Sequence, residues 1–185
     1  MMPGEPARPG IRVWDAFVRV AHWSLVITVA GAWLTEDSGA VHEWIGYAAL
    51  AIVLARLVWG VIGTRYARFS QFVRSPAATL QYARRVFARA EPRHVGHNPL
   101  GAYMIVLLVI MVILVAGSGW LYTTDAYWGV EWVEDLHEGL ADALLWLIVL
   151  HVAGVVFSSL RHRENLVAAM FHGRKRAPEP NDVAD

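Results

Sequence analysis

The sequence predicts an all-α integral membrane protein, a bundle of four transmembrane helices. Three observations predict it. Of 185 residues, 56% are hydrophobic and only 17% charged, well under the roughly 25% charge of a soluble domain, so lipid is the main solvent. Four stretches, about 17–34, 44–62, 100–122 and 140–160, are almost wholly apolar, and a helix needs about 20 such residues to cross a bilayer. The connecting segments alternate in sign of charge, so the net charge of zero hides a segregated distribution.

Taken in order, residues 1–21 carry Arg8, Arg12 and Arg19 beside Pro3, Pro6 and Pro9. The first apolar run is followed by Glu36-Asp37 instead of a small-residue cleavage site, so no cleavable signal peptide is expected. The segment 63–99 holds Arg65, Arg68, Arg74, Arg84, Arg85, Arg89 and Arg93 against Glu91 alone. Within it, Ser75-Pro76 opens a short basic amphipathic helix, over 76–90, suited to an anionic membrane surface. Asn98 suits a helix N-cap and Pro99 the first helical position, where the third span begins. Arg161, Arg163, Arg174, Lys175 and Arg176 follow the fourth span. The other two loops hold no basic residue, but Glu36, Asp37 and Glu43, then Asp125, Glu131, Glu134, Asp135 and Glu138. The positive-inside rule then predicts a multi-pass protein with both termini and the loop 63–99 in the cytoplasm. Trp14, Trp44, Trp128 and Trp132 lie near span ends, as an aromatic belt requires. One domain is expected over 1–176. The polar tail 177–185, with Pro178 and Pro180, is expected to be disordered.

The chain has no cysteine, which removes disulfides, iron–sulfur clusters, thiolate ligation and covalent haem attachment. It has eight histidines, four of them in or at the ends of the spans. His22 lies near the inner end of the first span, His42 at the outer start of the second, His137 at the outer start of the fourth and His151 deep in its inner half. Ionisable groups in a bilayer are costly and usually functional. His137 and His151 are fourteen residues apart, a rise of about 21 Å and nearly four full turns, so they share one helix face at two depths. Entry from opposite sides matches His22 with His151 and His42 with His137. Two stacked histidine pairs suit two six-coordinate electron-transfer haems, bound through neutral imidazole nitrogens between the helices. The competing reading of any single histidine is a hydrogen-bonded packing residue; four at matched depths favour ligands. His94, His97, His162 and His172 fall in basic segments and are expected to face solvent or headgroups.

These residues carry a resemblance. The stretch Trp14-Asp15-Ala16-Phe17-Val18-Arg19-Val20-Ala21-His22-Trp23 resembles the first helix of the bacterial four-helix di-haem cytochrome b family. That family includes the cytochrome b subunit of nickel–iron hydrogenases and single-subunit quinone-reactive cytochromes b. In order follow Val41-His42-Glu43-Trp44-Ile45-Gly46-Tyr47, Arg56-Leu57-Val58-Trp59-Gly60, Gly96-His97-Asn98-Pro99-Leu100-Gly101-Ala102, Leu136-His137-Glu138 and Leu150-His151-Val152. The likeness runs from about Val13 to Arg176, without departure at the ligand positions. It implies two haem b groups with bis-His iron, an outer pair from His42 and His137, an inner pair from His22 and His151, a bacterial inner membrane and a quinone partner, ubiquinone or menaquinone.

Further candidates surround the ligands. Arg56 is the basic residue within a span and lies at the inner haem's depth, where a propionate would satisfy it; Arg19, one turn from His22, has that role or snorkels to the surface. Gly46 and Gly154 follow His42 and His151 by one turn and clear space for a porphyrin, or else pack against a helix. The quinone headgroup is expected beside Asn98, Gly101, Tyr103 and His151, where a helix start offers N–H donors; the outer face is the other candidate. The expected function is electron transfer between an outer donor and quinone. The donor would be a periplasmic cytochrome c or a hydrogenase or dehydrogenase subunit. The alternative is a self-contained quinone-linked oxidoreductase for a small donor such as superoxide, which the acidic outer loops disfavour. Nothing in the pattern points to nucleic acid.

Overall fold

A computed structural model describes residues 10–184; residues 1–9, with Arg8 and the three N-terminal prolines, lie outside the described residues. Four long helices dominate: α1 (Ala16–Leu34), α2 (Ala40–Ile62), α5 (Pro99–Tyr122) and α6 (Glu131–Arg161). All four are long and apolar enough to cross a membrane. Between and after them lie the short α3 (Phe69–Phe72), α4 (Pro76–Phe87) and α7 (Leu166–His172), and a two-stranded ribbon of β1 (Ile11–Arg12) and β2 (Arg174–Lys175).

Local chemistry sets the helix starts. Asp15 caps α1, accepting the Val18 N–H at 2.8 Å, and Ser75 caps α4 through the Ala78 N–H at 3.3 Å. Asn98 caps α5 through the Gly101 N–H at 2.8 Å, with Pro99 in the first turn. Each cap satisfies a donor that the helix itself leaves free. The helix α6 starts at Glu131, nine residues before its apolar run. At 31 residues it is about 46 Å long, so its acidic first turns project beyond a hydrocarbon core of about 30 Å.

The long helices pack in succession, α1 on α2, α2 on α5 and α5 on α6, with no comparable packing of α6 on α1 among the described residues. The bundle core gathers Ala49 and Val53 of α2, Val109, Met111 and Val112 of α5 and Leu144 of α6. At the α2 end, a Cβ on Gly60 would overlap the Phe69 ring at 1.9 Å; only glycine lets α3 lie against α2 here.

The basic end of the bundle is closed by a cap built from segments whose sequence predicts loop and tail. β1 and β2 pair antiparallel, and Val13, Trp14, Val95 and Ala169 form a second core beneath them. Arg93 and Lys175 are buried. Arg93 donates to Glu164 at 2.7 Å and to Asp182, and also to the Arg176 carbonyl at 2.9 Å. Lys175 Nζ reaches Glu164 at 3.5 Å and the carbonyl of His94 at 3.2 Å. Burial opposes the charge of Glu164, but the hydrogen bond from Arg93 and the charge of Lys175 hold its carboxyl below the usual carboxylate range.

Three expectations are corrected here. The tail is not free through residues 177–184: Val183 donates to the Arg93 carbonyl at 2.8 Å and accepts from Val95 at 3.0 Å, because a buried arginine draws in Asp182. Trp14 is buried against His97, ring centres 4.4 Å apart, and is not a belt residue; Trp44, Trp128 and Trp132 are the exposed ones. His97 also packs on Phe72 at 4.5 Å and His94 on Tyr82 at 5.3 Å, so these two histidines are core residues of the cap, not headgroup-facing ones.

Candidate functional site

The end of the bundle that carries the acidic loops brings two of the four candidate histidines ring to ring. His42, in the first turn of α2, and His137, in the second turn of α6, have ring centres 6.0 Å apart and planes at 85°. Each ring is tied to a backbone carbonyl of a neighbouring helix through Nδ1. His42 Nδ1 lies 3.0 Å from the Ala32 carbonyl of α1. His137 Nδ1 lies 3.1 Å from the Val115 carbonyl and 3.1 Å from Ser118 Oγ, both of α5. A carbonyl only accepts, so Nδ1 carries the proton in each ring, and Nε2 keeps its lone pair. That tautomer and that anchoring are what a ligating imidazole needs. Two imidazoles on opposite sides of one metal ion, each bond about 2 Å long, have ring centres about 6 Å apart. The observed pair fits this arrangement.

Gly119 makes room for the His137 ring: a Cβ there would stand 2.9 Å from Cε1 and 3.2 Å from Nδ1. In the sequence Gly119 reads only as a small residue that lets a helix or a flat cofactor approach closely, and Ser118 and the carbonyls of Ala32 and Val115 carry no assignment. The signal available was the run Gly117-Ser118-Gly119, two glycines flanking a hydroxyl inside an apolar helix.

Toward the basic end, His22 on α1 and His151 on α6 are each half-buried. His22 Nδ1 is buried with no hydrogen-bond partner among the described residues. Arg56 is buried too, its Nη2 donating to the Ala67 carbonyl at 3.0 Å and its guanidinium 5.0 Å from the Phe69 ring centre. Its Nη1 has no partner among the described residues, so Arg56 retains a donor for an anionic group such as a haem propionate. A Cβ at Gly46 or Gly154 would meet nothing within 4 Å. Neither glycine packs against a described helix, and both leave space beside a candidate ligand. Orphaned donors, cleared glycines and a tautomer-fixed pair together fit a planar haem held between the helices.

Other expected contacts are engaged elsewhere. Arg19 donates Nη1 to the Phe171 carbonyl and Nε to the Asp15 carbonyl at 3.3 Å, which ties α1 to the end of α7. The N–H groups of Gly101 and Ala102 are bonded to Asn98, and Tyr103 donates its hydroxyl to the Arg74 carbonyl at 3.1 Å. The helix start therefore has fewer free donors than expected, because the Asn98 cap consumes them. Asn98 Oδ1 is the capping atom, which leaves its Nδ2 amide as the remaining donor.

At the start of α1, Asp15 Oδ2 accepts from Trp59 Nε1 at 2.9 Å and Thr64 Oγ1 at 2.6 Å, joining α1 to the end of α2. Burial opposes its charge, but bonds from Thr64, Trp59 and the Val18 amide hold the carboxyl below its ordinary value. At the opposite end of the bundle Glu36, Asp37, Glu131, Glu134 and Asp135 are exposed. Asp142 is exposed as well.

Comparison with known proteins identifies the family. Residues 13–173 match the family model described as prokaryotic cytochrome b561. A probable Ni/Fe-hydrogenase B-type cytochrome subunit of Bradyrhizobium diazoefficiens is 22% identical over 224 aligned positions, covering 94% of this chain and 90% of the relative. No solved structure matches. With the four apolar helices on the page and most of the chain matched, the chain belongs to the prokaryotic cytochrome b561 family, membrane proteins that move electrons through b-type haem.

Proposed function

We propose that the chain carries electrons across a bacterial inner membrane, between a partner at its acidic face and the quinone pool, using two bis-histidine b-type haems. The observation that carries this is the His42–His137 pair, 6.0 Å apart with both Nδ1 atoms committed to carbonyls. Bound haem supplies a one-electron carrier. The residues do the rest. His42 and His137 hold the outer group by Nε2, and His22 and His151 the inner one. The helices exclude water from both. Arg56 offers its remaining donor to an inner propionate, and Gly46 and Gly154 admit the flat macrocycle. The 1–176 segment acts as one unit, with the basic loop 63–99 and both termini in the cytoplasm.

The relative's name supports a hydrogenase-type subunit as the outer partner. The exposed acids of α6 suit a basic docking surface, on a cytochrome c or on such a subunit. They disfavour an anionic donor such as superoxide. For quinone we propose the inner side, beside His151, with the Asn98 amide nitrogen as donor to a carbonyl and Gly101 and Tyr103 framing the entrance.

Three measurements test this. Spectra of the purified protein should give two low-spin haems per chain; a single haem, or a high-spin one, refutes the pairing. Asn98→Asp keeps the cap oxygen and removes the amide donor. It should slow haem oxidation by added quinone with both haems retained, whereas Glu134→Leu should not; the reverse result moves the quinone outside. For orientation, cysteines at the exposed Ala77 and Ala126 should react differently with an impermeant reagent in intact cells, only Ala126→Cys being labelled.

A further inference from the structure

Where α6 gives way to α7 and β2, a cavity of about 350 Å³ opens, lined by Arg163, Asn165, His172, Arg174 and Arg176, with Glu164 and Lys175 on its floor. The one acid is already neutralised: Glu164 accepts from both Arg93 and the Arg176 amide, and Lys175 stands beside it. Arg163 and Arg174 are exposed, and their side chains hold no hydrogen bond or ion pair among the described residues. Arg176 is weakly paired with Glu179 at 3.4 Å. His172 Nδ1 accepts the Arg174 N–H at 3.0 Å, so its proton sits on Nε2, a further donor.

The backbone points to the same place. Arg163 has φ 51°, the left-handed region. Helix ends usually put glycine there, and a β-branchless but bulky arginine occupies it at a cost. The wrap closes through Glu164 N–H to the Ser159 carbonyl at 3.0 Å. Strain of this kind persists where the side chain is wanted.

A second surface adjoins the cavity. Val167 and Phe171, one turn apart on α7, are 48% and 58% exposed, and Phe171 stacks on Trp23 of α1 at 4.2 Å. Ala168 and His172, which line the cavity, lie about 100° round the same helix. A ligand with an apolar chain along Val167 and Phe171 would bring its anionic head to the arginines. We propose that this cavity binds the phosphate of an anionic phospholipid, held by Arg163, Arg174, Arg176 and the Nε2–H of His172. A soluble phosphate would use the same cations but not the apolar strip.

The test uses the full chain, purified with its haem and delipidated, titrated with phosphatidylglycerol or phosphatidylcholine in detergent and followed by native mass spectrometry. Arg163→Gly removes the cation and relieves the left-handed backbone, so misfolding is not its expected failure. Arg174→Gln is the second variant. Arg89→Gly is the matched control: Arg89 also ends a helix at positive φ, 56°, but does not line the cavity. Phosphatidylglycerol should be retained over phosphatidylcholine, and Arg163→Gly and Arg174→Gln should each weaken it by about fivefold or more, the worth of one basic side chain at an anionic headgroup. Arg89→Gly should leave it unchanged. Equal retention by all three variants overturns the site. Displacement of the lipid by inorganic phosphate at equal concentration assigns the cavity to a soluble anion and overturns the lipid.

Discussion

The two ends of the bundle hold their buried polar groups by different means. At the outer end His42 and His137 are each fixed by a backbone carbonyl of a neighbouring helix, so helix packing alone sets ring orientation. At the inner end His22 Nδ1 and Arg56 Nη1 lack partners among the described residues, and the surrounding cap is fixed by buried ions, Arg93 and Lys175 with Glu164 and Asp182. The difference separates two kinds of dependence. The geometry of this pair is as robust as the packing of α1 on α2 and of α5 on α6. The inner geometry depends on charges contributed by segments far apart in sequence, and on whatever completes the two orphaned donors.

The largest effect should come from removing a ligand. His42→Ala and His137→Ala should each abolish the same half of the haem absorbance, and His22→Ala and His151→Ala the other half. If His22 and His137 instead behave as partners, the division into ends collapses. Next is Glu164→Gln, which takes the shared carboxylate from buried Lys175 and leaves Arg93 with Asp182 as its remaining acid, and should cost up to about 3–5 kcal/mol. Thermal unfolding in detergent should show it, with the inner haem lost before the outer; loss of both together would mean the ends are not independent.

Gly119→Ala sharpens the outer half of the comparison. The added carbon presses the His137 ring at 2.9 Å and should weaken outer haem binding by about 10–100-fold, the range for disturbed ligand support. Gly117→Ala, where a Cβ meets nothing within 4 Å, is the control. The smallest effect is expected from Asp15→Asn, which preserves a capping oxygen but weakens the bonds from Trp59 and Thr64, by about 1 kcal/mol. The carboxyls of Asp15 and Glu164 both sit below their ordinary values when folded. Their contribution is therefore complete above the unfolded values of about 4 and lost as pH falls through the lower folded ones. Acid titration of unfolding should show the inner end loosening first, and Asp15→Asn should flatten part of that slope.

How much of this was legible in the sequence depended on the range of the interaction. Apolar runs of membrane length, the caps at Asn98 and Ser75, and the sign of each loop are local properties, and the helices follow them. The helical rise placed His137 and His151 on one face, and opposite entry matched His42 with His137, because an α-helix converts residue spacing into depth. Local spacing says nothing of what a side chain meets from another helix. The carbonyls of Ala32 and Val115 look like any other backbone in the sequence, and Gly119 like any small residue of a membrane helix.

The sequence by itself determined that four helices cross a membrane with histidines at two depths, since hydropathy and the 1.5 Å rise per residue act along the chain alone. Only the tertiary structure decided the outward tautomer of His42 and His137, the diversion of Arg19 to the Phe171 carbonyl, the consumption of the Gly101 N–H by Asn98, and the closure of the basic end by Asp182 and Val183. Each of these joins groups from different elements. A buried donor or charge takes whichever partner the packing brings within reach, and that partner is not written beside it in the chain.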